Sequence, residues 1–194
     1  MALSKALNGA VPARMRGSSP NSGGQNRYRI ANTFASSIFT GDIVKVSAGY
    51  IQPIATTTDF AQGVFMGCEY VDPVSNRPVY GKYWPGGTSS VDAKPYANVV
   101  DDPSAIYVMQ ADATVSIGDV ESANFAVTLG SGSTLTGRSG FGIKVATRDT
   151  TISQMVRVVG SYDIPGNELG DANPKVLVRI VQHIDAQVSV NSGA

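Results

Sequence analysis

From Ile30 onward, short runs of Val, Ile, Tyr, Phe and Thr alternate with Gly, Asp, Asn and Pro. Short apolar and β-branched runs between turn-forming residues are typical of β-strands. A sustained apolar stripe at helical spacing does not occur, and residues 151–158 come nearest to one. The sequence therefore predicts an all-β body over residues 30–194, folded as a single β-barrel or as a sandwich-like structure.

Individual strands can be placed from the alternation of apolar and polar residues. Residues 42–46 alternate, residues 47–49 supply a turn, and residues 50–54 return, which predicts a hairpin. Pro53 cannot donate a ladder hydrogen bond, so the returning strand is expected to lie at a sheet edge or to end there. A longer strand is expected at 63–71, with Gly67 marking a bulge. Further strands are predicted at 105–110, 125–129, 143–146, 155–160 and 176–184.

Residues 72–103 contain many prolines and glycines and place three aromatic residues beside a tight turn. This pattern predicts a protruding hairpin that carries Tyr80, Tyr83 and Trp84. An exposed aromatic cluster can stack on a sugar or a base. Packing of these rings against the body or a neighbouring subunit is the favoured alternative.

The segment 1–29 differs from the rest of the chain in charge. It has five basic residues and no acidic one, and because the whole chain has a net charge of zero, the remainder carries minus five. Its Gly, Ser, Pro and Asn content cannot bury enough apolar surface to offset the entropy of ordering. We therefore expect an extended basic N-terminal arm over 1–29 that binds a partner. The candidate contact residues are Lys5, Arg14, Arg16, Arg27, Tyr28 and Arg29.

Charge and composition also bear on other partners. The basic residues of the arm are not clustered, and only Tyr28 lies among them, which argues against nucleic acid. The sequence contains no apolar run long enough for a membrane span, so no membrane contact is expected. Cys68 is the single cysteine, so an internal disulfide is excluded and a buried, inert thiol is expected.

The search for reactive groups predicts no catalytic residue, no metal site and no cofactor. His183 is the only histidine and lies on an expected strand, where a structural role is favoured over a catalytic base. Asp101 and Asp102 precede Pro103, as in a turn. The glycine-rich stretches at 130–133 and 137–142 lack the lysine of a phosphate-binding loop and are interpreted as β-turns. The chain is therefore not expected to be an enzyme.

Three segments carry a resemblance to a known family. They read GDIVKV at 41–46, GYIQPIA at 49–55 and AQGVF at 61–65. This order of strand, turn, strand and Gly-Val opening resembles the capsid decoration, or cement, proteins of tailed bacteriophages. Their fold is a small β-barrel or β-tulip.

The resemblance implies a structural virion protein that assembles in the host cytoplasm and binds the outer surface of an expanded capsid. It implies two partners, the major capsid protein and copies of the chain itself, with a trimer as the oligomer. The arm would lie across the major capsid protein, so that each copy bridges neighbouring capsomers. Two alternatives stay open: a tail-tube or head-tail joining protein, and a carbohydrate-binding β module that uses Tyr80, Tyr83 and Trp84.

Overall fold

The computed structural model describes residues 4–17, 20, 24–151 and 154–186. Within these ranges the chain forms fourteen β-strands and two single-turn 3-10 helices, at Ile117–Asp119 and Ile184–Ala186, and no α-helix. The predicted all-β class is confirmed. The strands form two six-stranded sheets and a two-stranded ribbon that do not close into a barrel, so the sandwich-like alternative describes the body.

The first sheet is antiparallel throughout. Its strand β14 shows why it forms: Val176, Val178 and Ile180 are buried, whereas the residues between them are partly exposed, as expected when alternate side chains point to opposite faces. In spatial order the sheet contains β1 (Val11–Met15), β10 (Ala105–Gln110), β14 (Lys175–Ile180), β13 (Val156–Ser161), β11 (Asn124–Thr128) and β12 (Gly142–Asp149).

The second sheet is also antiparallel and is built around a long central strand. Its strands are β2 (Asn26–Arg29), β9 (Tyr96–Val100), β6 (Gly63–Val71), β4 (Ile43–Ser47) and β5 (Tyr50–Pro53), with β7 (Pro78–Gly81) paired to the far half of β6. The ribbon consists of β3 (Ile38–Phe39) and β8 (Tyr83–Trp84).

Two apolar clusters hold these layers together. Ile43 and Val64 of the second sheet share one cluster with Phe125 and Val178 of the first sheet, so the two sheets pack face to face. On the opposite side of the second sheet, Phe65 and Val99 pack with Ile30, Ile38 and Trp84. Complete burial of one such side chain stabilises the fold by about 1.5–3 kcal/mol.

The predicted hairpin at 42–54 is confirmed as β4 and β5, whose paired residues run from Val44 with Pro53 to Ser47 with Tyr50. The connecting residues Ala48 and Gly49 have φ angles of 50° and 83°, as a tight hairpin turn requires. β5 lies at the sheet edge, where the missing donor of Pro53 costs no ladder bond. The register of β6 against β9 shifts between Phe65 and Gly67, which confirms the bulge.

The other predicted strands are confirmed with small differences at their ends. Residues 105–110 match β10, and the predictions at 125–129, 143–146 and 155–160 correspond to β11, β12 and β13. The expectation for 176–184 is too long, because β14 ends at Ile180 and the chain turns before the second 3-10 helix.

The segment 1–29 differs from the expected separate arm within its described residues. β1 pairs with β10 at one edge of the first sheet, and β2 pairs with β9 at one edge of the second. Ala6 N–H also donates to Gln110 Oε1 at 2.7 Å, and Gln110 Nε2 donates to the Ser4 carbonyl at 2.9 Å. Main-chain hydrogen bonds to a sheet edge do not require apolar side chains, which is why composition alone was a poor guide.

The region 72–103 is not a single hairpin. β7 pairs with β6, whereas β8 pairs with β3, so the two short strands separate on either side of Lys82. Gly81 and Tyr83 therefore belong to different sheets. The sequence predicted the turn-rich character of this region but not the different partners of its strands.

Candidate functional site

One row of side chains crosses four strands of the second sheet. Arg29 of β2 is paired with Tyr96 of β9, Tyr96 with Glu69 of β6, and Glu69 with Tyr80 of β7. Directly paired residues on neighbouring strands share a face, so the four side chains lie on the same side of the sheet. This row brings a basic residue of the segment 1–29 and an aromatic residue of the region 72–103 to one surface.

The basic side chains at this surface are fixed by aromatic and acidic neighbours. The guanidinium carbons of Arg27 and Arg29 lie 4.3 and 5.0 Å from the centre of the Tyr96 ring. Arg27 also forms an ion pair with Glu69, and Arg29 donates to the Ala93 carbonyl at 3.0 Å. Each cation–π contact at an exposed site contributes about 0.5–1 kcal/mol. The groups are therefore held in place before any partner binds.

Arg27, Glu69, Tyr80 and Tyr96, but not Arg29, line a surface cavity of about 340 Å³, which we call the aromatic groove. Tyr80 is 79% exposed at its rim, although large aromatic side chains are usually more buried. The groove combines flat apolar rings with charged groups of both signs, a combination suited to contact with a protein segment or a sugar ring. Its lining residues are Arg27, Glu69, Tyr70, Val71, Pro78, Tyr80, Asp92, Lys94 and Tyr96.

Tyr28 is directed into the body. Its hydroxyl donates to Asp101 Oδ2 at 2.6 Å and accepts from Gln62 Nε2 at 3.1 Å. Burial and the Asp101 carboxylate raise the pKa of this phenol, so it stays protonated and donates at neutral pH. Tyr28 thus joins β2 to the residue that follows β9, a structural contact.

The remaining basic residues predicted in the arm lie elsewhere. Arg14 and Arg16 line a second surface cavity, of about 320 Å³, on the first sheet. Lys5 is exposed beside the segment bound by Gln110. The predicted contact residues therefore divide between two sheets.

Of the three predicted aromatic residues, Trp84 is fully buried, Tyr83 is partly buried and Tyr80 is exposed. Trp84 has no exposed surface, its indole N–H donates to the Phe34 carbonyl at 3.2 Å, and its ring meets Tyr70 edge to face at 5.4 Å. Tyr83 stacks on Phe39 with ring centres 5.5 Å apart. Only Tyr80 remains available as a binding platform, and packing against the body accounts for the other two.

Of the residues considered for reactive chemistry, Cys68 and His183 are buried, whereas Asp102 is exposed. Burial raises the pKa of the Cys68 thiol to about 12, and the thiol donates to the Tyr83 carbonyl. His183 is also buried, which lowers its pKa, and its Nδ1 accepts the backbone N–H of Asp185 at 3.2 Å. Asp102 accepts the backbone N–H of Ser104 at 2.7 Å, as in the expected turn.

Sequence reasoning missed the groove residues Glu69 and Tyr96. Glu69 lies in the strand expected at 63–71, whereas Tyr96 lies in β9, which was not predicted, and their proximity depends on which strands pair and in which register. The only sequence feature that marks Glu69 and Tyr96 is that each is a polar or aromatic residue in an otherwise apolar run. Such a signal does not identify its neighbour across the sheet.

Comparison with known protein families, with curated proteins and with solved structures gives no match for this chain. Among the described residues, no helix is long and apolar enough to cross a membrane. The same part of the chain contains no group of three or more His, Cys, Asp or Glu side chains placed to hold a metal ion.

Proposed function

We propose that this chain is a structural virion protein that binds the outer surface of a phage capsid and stabilises the expanded head by bridging capsomers. The observation that carries the proposal is the aromatic groove, where Arg27 of β2 and the exposed Tyr80 line the same cavity. Exposed aromatic and arginine side chains are characteristic anchors of protein interfaces. The resemblance of the β4–β6 sequence to capsid decoration proteins supports the same role.

The physical basis of the proposed function is multivalent adhesion. The major capsid protein would present one acidic and apolar contact to each groove, and copies of this chain would contact one another, with a trimer as the expected oligomer. Repetition over a symmetric shell converts modest single contacts into high overall affinity. Each contact can then be weak without loss of the assembly.

Binding to heads tests this proposal. Purified chain is mixed with expanded heads that lack it, and the bound copies are counted after sedimentation. We expect saturation at a fixed ratio of copies to capsomers. Absence of saturable binding, or closed rings formed by the chain alone, would contradict the capsid role, and rings would favour the tail alternative.

The groove is tested in the same experiment with the variant Arg27→Gln, which removes a basic residue that lines it. We expect its apparent affinity for heads to fall about tenfold or more, because charge-assisted contacts at the groove are lost and avidity multiplies the effect. Lys144→Gln, at an exposed position of β12, is the control and should bind like the wild type. Equal loss in the control would mean that general charge governs binding.

A carbohydrate-binding function is the second candidate, favoured by the exposed ring of Tyr80 beside Tyr96 and the charged groups of the groove. If it is correct, a glycan array should show selective binding, and Tyr80→Ala should abolish it with little change in stability, since Tyr80 is 79% exposed. Val74→Ala, at another exposed position, is the control. An array without any selective signal would remove this candidate.

A further inference from the structure

Four arginines converge on the first sheet, away from the aromatic groove. Arg14 of β1 is paired with Ile106, Ile106 with Arg179 of β14, and Arg179 with Arg157 of β13. This register places three arginines in one row on the same face. Arg16, just after β1, is anchored by its backbone N–H, which donates to the Ser104 carbonyl at 2.8 Å.

The arrangement is unfavourable for the protein alone. Arg157 and Arg179 are direct partners on neighbouring strands, where like charges destabilise a sheet. Among the described residues, Arg16, Arg157 and Arg179 form no ion pair with a carboxylate. Burial, Arg157 and Arg16 lower the pKa of Arg179, whereas Glu121 opposes them. A site lined by three arginines and a single glutamate carries excess positive charge and is suited to an anion from outside.

The geometry also provides space and a free donor. Arg14, Arg16 and Arg179 line the cavity of about 320 Å³, and Glu121 is the one acidic side chain among its lining residues. Arg179 Nε is buried and has no hydrogen-bond partner within the described part of the chain. Arg157 is held in position because its Nε donates to Asn124 Oδ1 at 2.8 Å. A buried donor without a partner costs free energy, so the protein itself does not fully satisfy the hydrogen bonding of this guanidinium.

We propose that the cavity between β1 and β14 is a binding site for an oxyanion, a phosphate or a carboxylate group, with Arg179 as its central ligand and Arg14 and Arg16 at its rim. Planar guanidinium groups match the oxygen atoms of both anions and bind them through paired hydrogen bonds. Bound negative charge would also relieve the repulsion between Arg157 and Arg179. This inference is independent of capsid binding, because it uses a different sheet and different residues.

The test is a titration of the ¹⁵N-labelled full chain with inorganic phosphate and, separately, with acetate, both at constant ionic strength. The Nε–Hε resonances of the arginine side chains are followed by NMR. We expect a saturable shift of the Arg179 resonance with at least one anion. Tighter binding of phosphate identifies a phosphorylated ligand, and tighter binding of acetate identifies a protein carboxylate. If neither anion gives a saturable shift, the proposal is wrong.

Arg179→Gln should weaken binding about tenfold or more, the loss expected for charge-assisted hydrogen bonds. Its melting temperature should equal or exceed that of the wild type, because a repulsive charge is removed. Arg77→Gln changes the net charge equally at an exposed turn and should bind normally. Equal weakening in both variants would show nonspecific charge and overturn the site. If Arg179→Gln does not fold, Arg16→Gln removes another arginine of the same cavity and provides the comparison, with weaker binding expected.

Discussion

Replacement of Trp84 by Ala is expected to lower the free energy of unfolding by about 3–5 kcal/mol, the usual cost of removing a buried large aromatic side chain. Trp84 has no exposed surface and lies in the cluster that joins β3 and β8 to the second sheet. The truncation removes its contact with Tyr70 and one of the two hydrogen bonds to the Phe34 carbonyl, which keeps the one from the Gly87 backbone N–H. A loss of this size is a large part of the stability of an ordinary domain.

Urea denaturation followed by circular dichroism measures this effect. Trp84→Phe is the matched variant, since it keeps most of the apolar volume and should cost clearly less. Tyr80→Ala removes an aromatic ring from the same region at an exposed position and should cost little. A loss below about 1 kcal/mol for Trp84→Ala would contradict the burial of this ring.

Asp42→Asn is expected to remove a pH dependence of stability that amounts to about 3 kcal/mol in the wild type. Burial raises the pKa of Asp42 to about 6, although the Phe39 backbone N–H and Ser139 partly oppose the shift. Asp42 is only 3% exposed, and its Oδ1 has no hydrogen-bond partner among the described residues. The ionised carboxylate is therefore disfavoured in the folded protein.

The direction of the change in stability with pH follows from proton binding. Between about pH 4 and pH 6 the folded protein retains a proton on Asp42 that the unfolded chain has lost, so stability falls as the pH rises through this window. The asparagine variant cannot titrate. The free energy of unfolding of Asp42→Asn minus that of the wild type should therefore increase between pH 4 and pH 7. This holds whatever pH-independent difference the substitution itself introduces.

Denaturation curves at several pH values provide the measurement, and Asp59→Asn is the contrasting variant. Burial raises the pKa of Asp59, but the hydrogen bonds from Lys45 and from the backbone of Thr56 and Ala55 outweigh it and lower the value to about 2. That carboxylate stabilises the fold when ionised, so Asp59→Asn should be less stable than the wild type at pH 7. Parallel pH profiles for wild type and Asp42→Asn would contradict the assignment.

The parts of the fold that depend on local chemistry could be predicted from the sequence. The β4–β5 hairpin followed from its alternation, its turn and Pro53, and the bulge in β6 followed from Gly67. The partners of β1, β2, β7 and β8 could not be predicted, because pairing between distant strands leaves no local pattern. The aromatic groove and the row of arginines both arise from such pairings, so the sequence indicated some of their residues but neither site.

The glycine-rich stretches show the same limit. The sequence predicts turns at 130–133 and 137–142, but their glycine content also has a second reason, which is close packing between the two stretches. A Cβ atom on Gly130 would lie 2.2 Å from the Gly140 carbonyl oxygen, and one on Gly140 would lie 2.3 Å from that of Ser131. The two stretches pack backbone against backbone, which only glycine permits. Each stretch requires glycine because the backbone of the other packs against it, and only the folded structure shows this contact.

During synthesis, β1 and β2 stay unpaired for a time, because each pairs with a strand that comes much later in the chain. Val11 pairs with Val108, so β1 leaves the ribosome on the order of 5–20 s before its partner strand exists. β2 waits similarly for β9. Unpaired strands on nascent chains are prone to associate with one another, and charged residues oppose this. We therefore expect the five positive charges of residues 1–29 to keep the unpaired segments of neighbouring chains apart before the protein has folded.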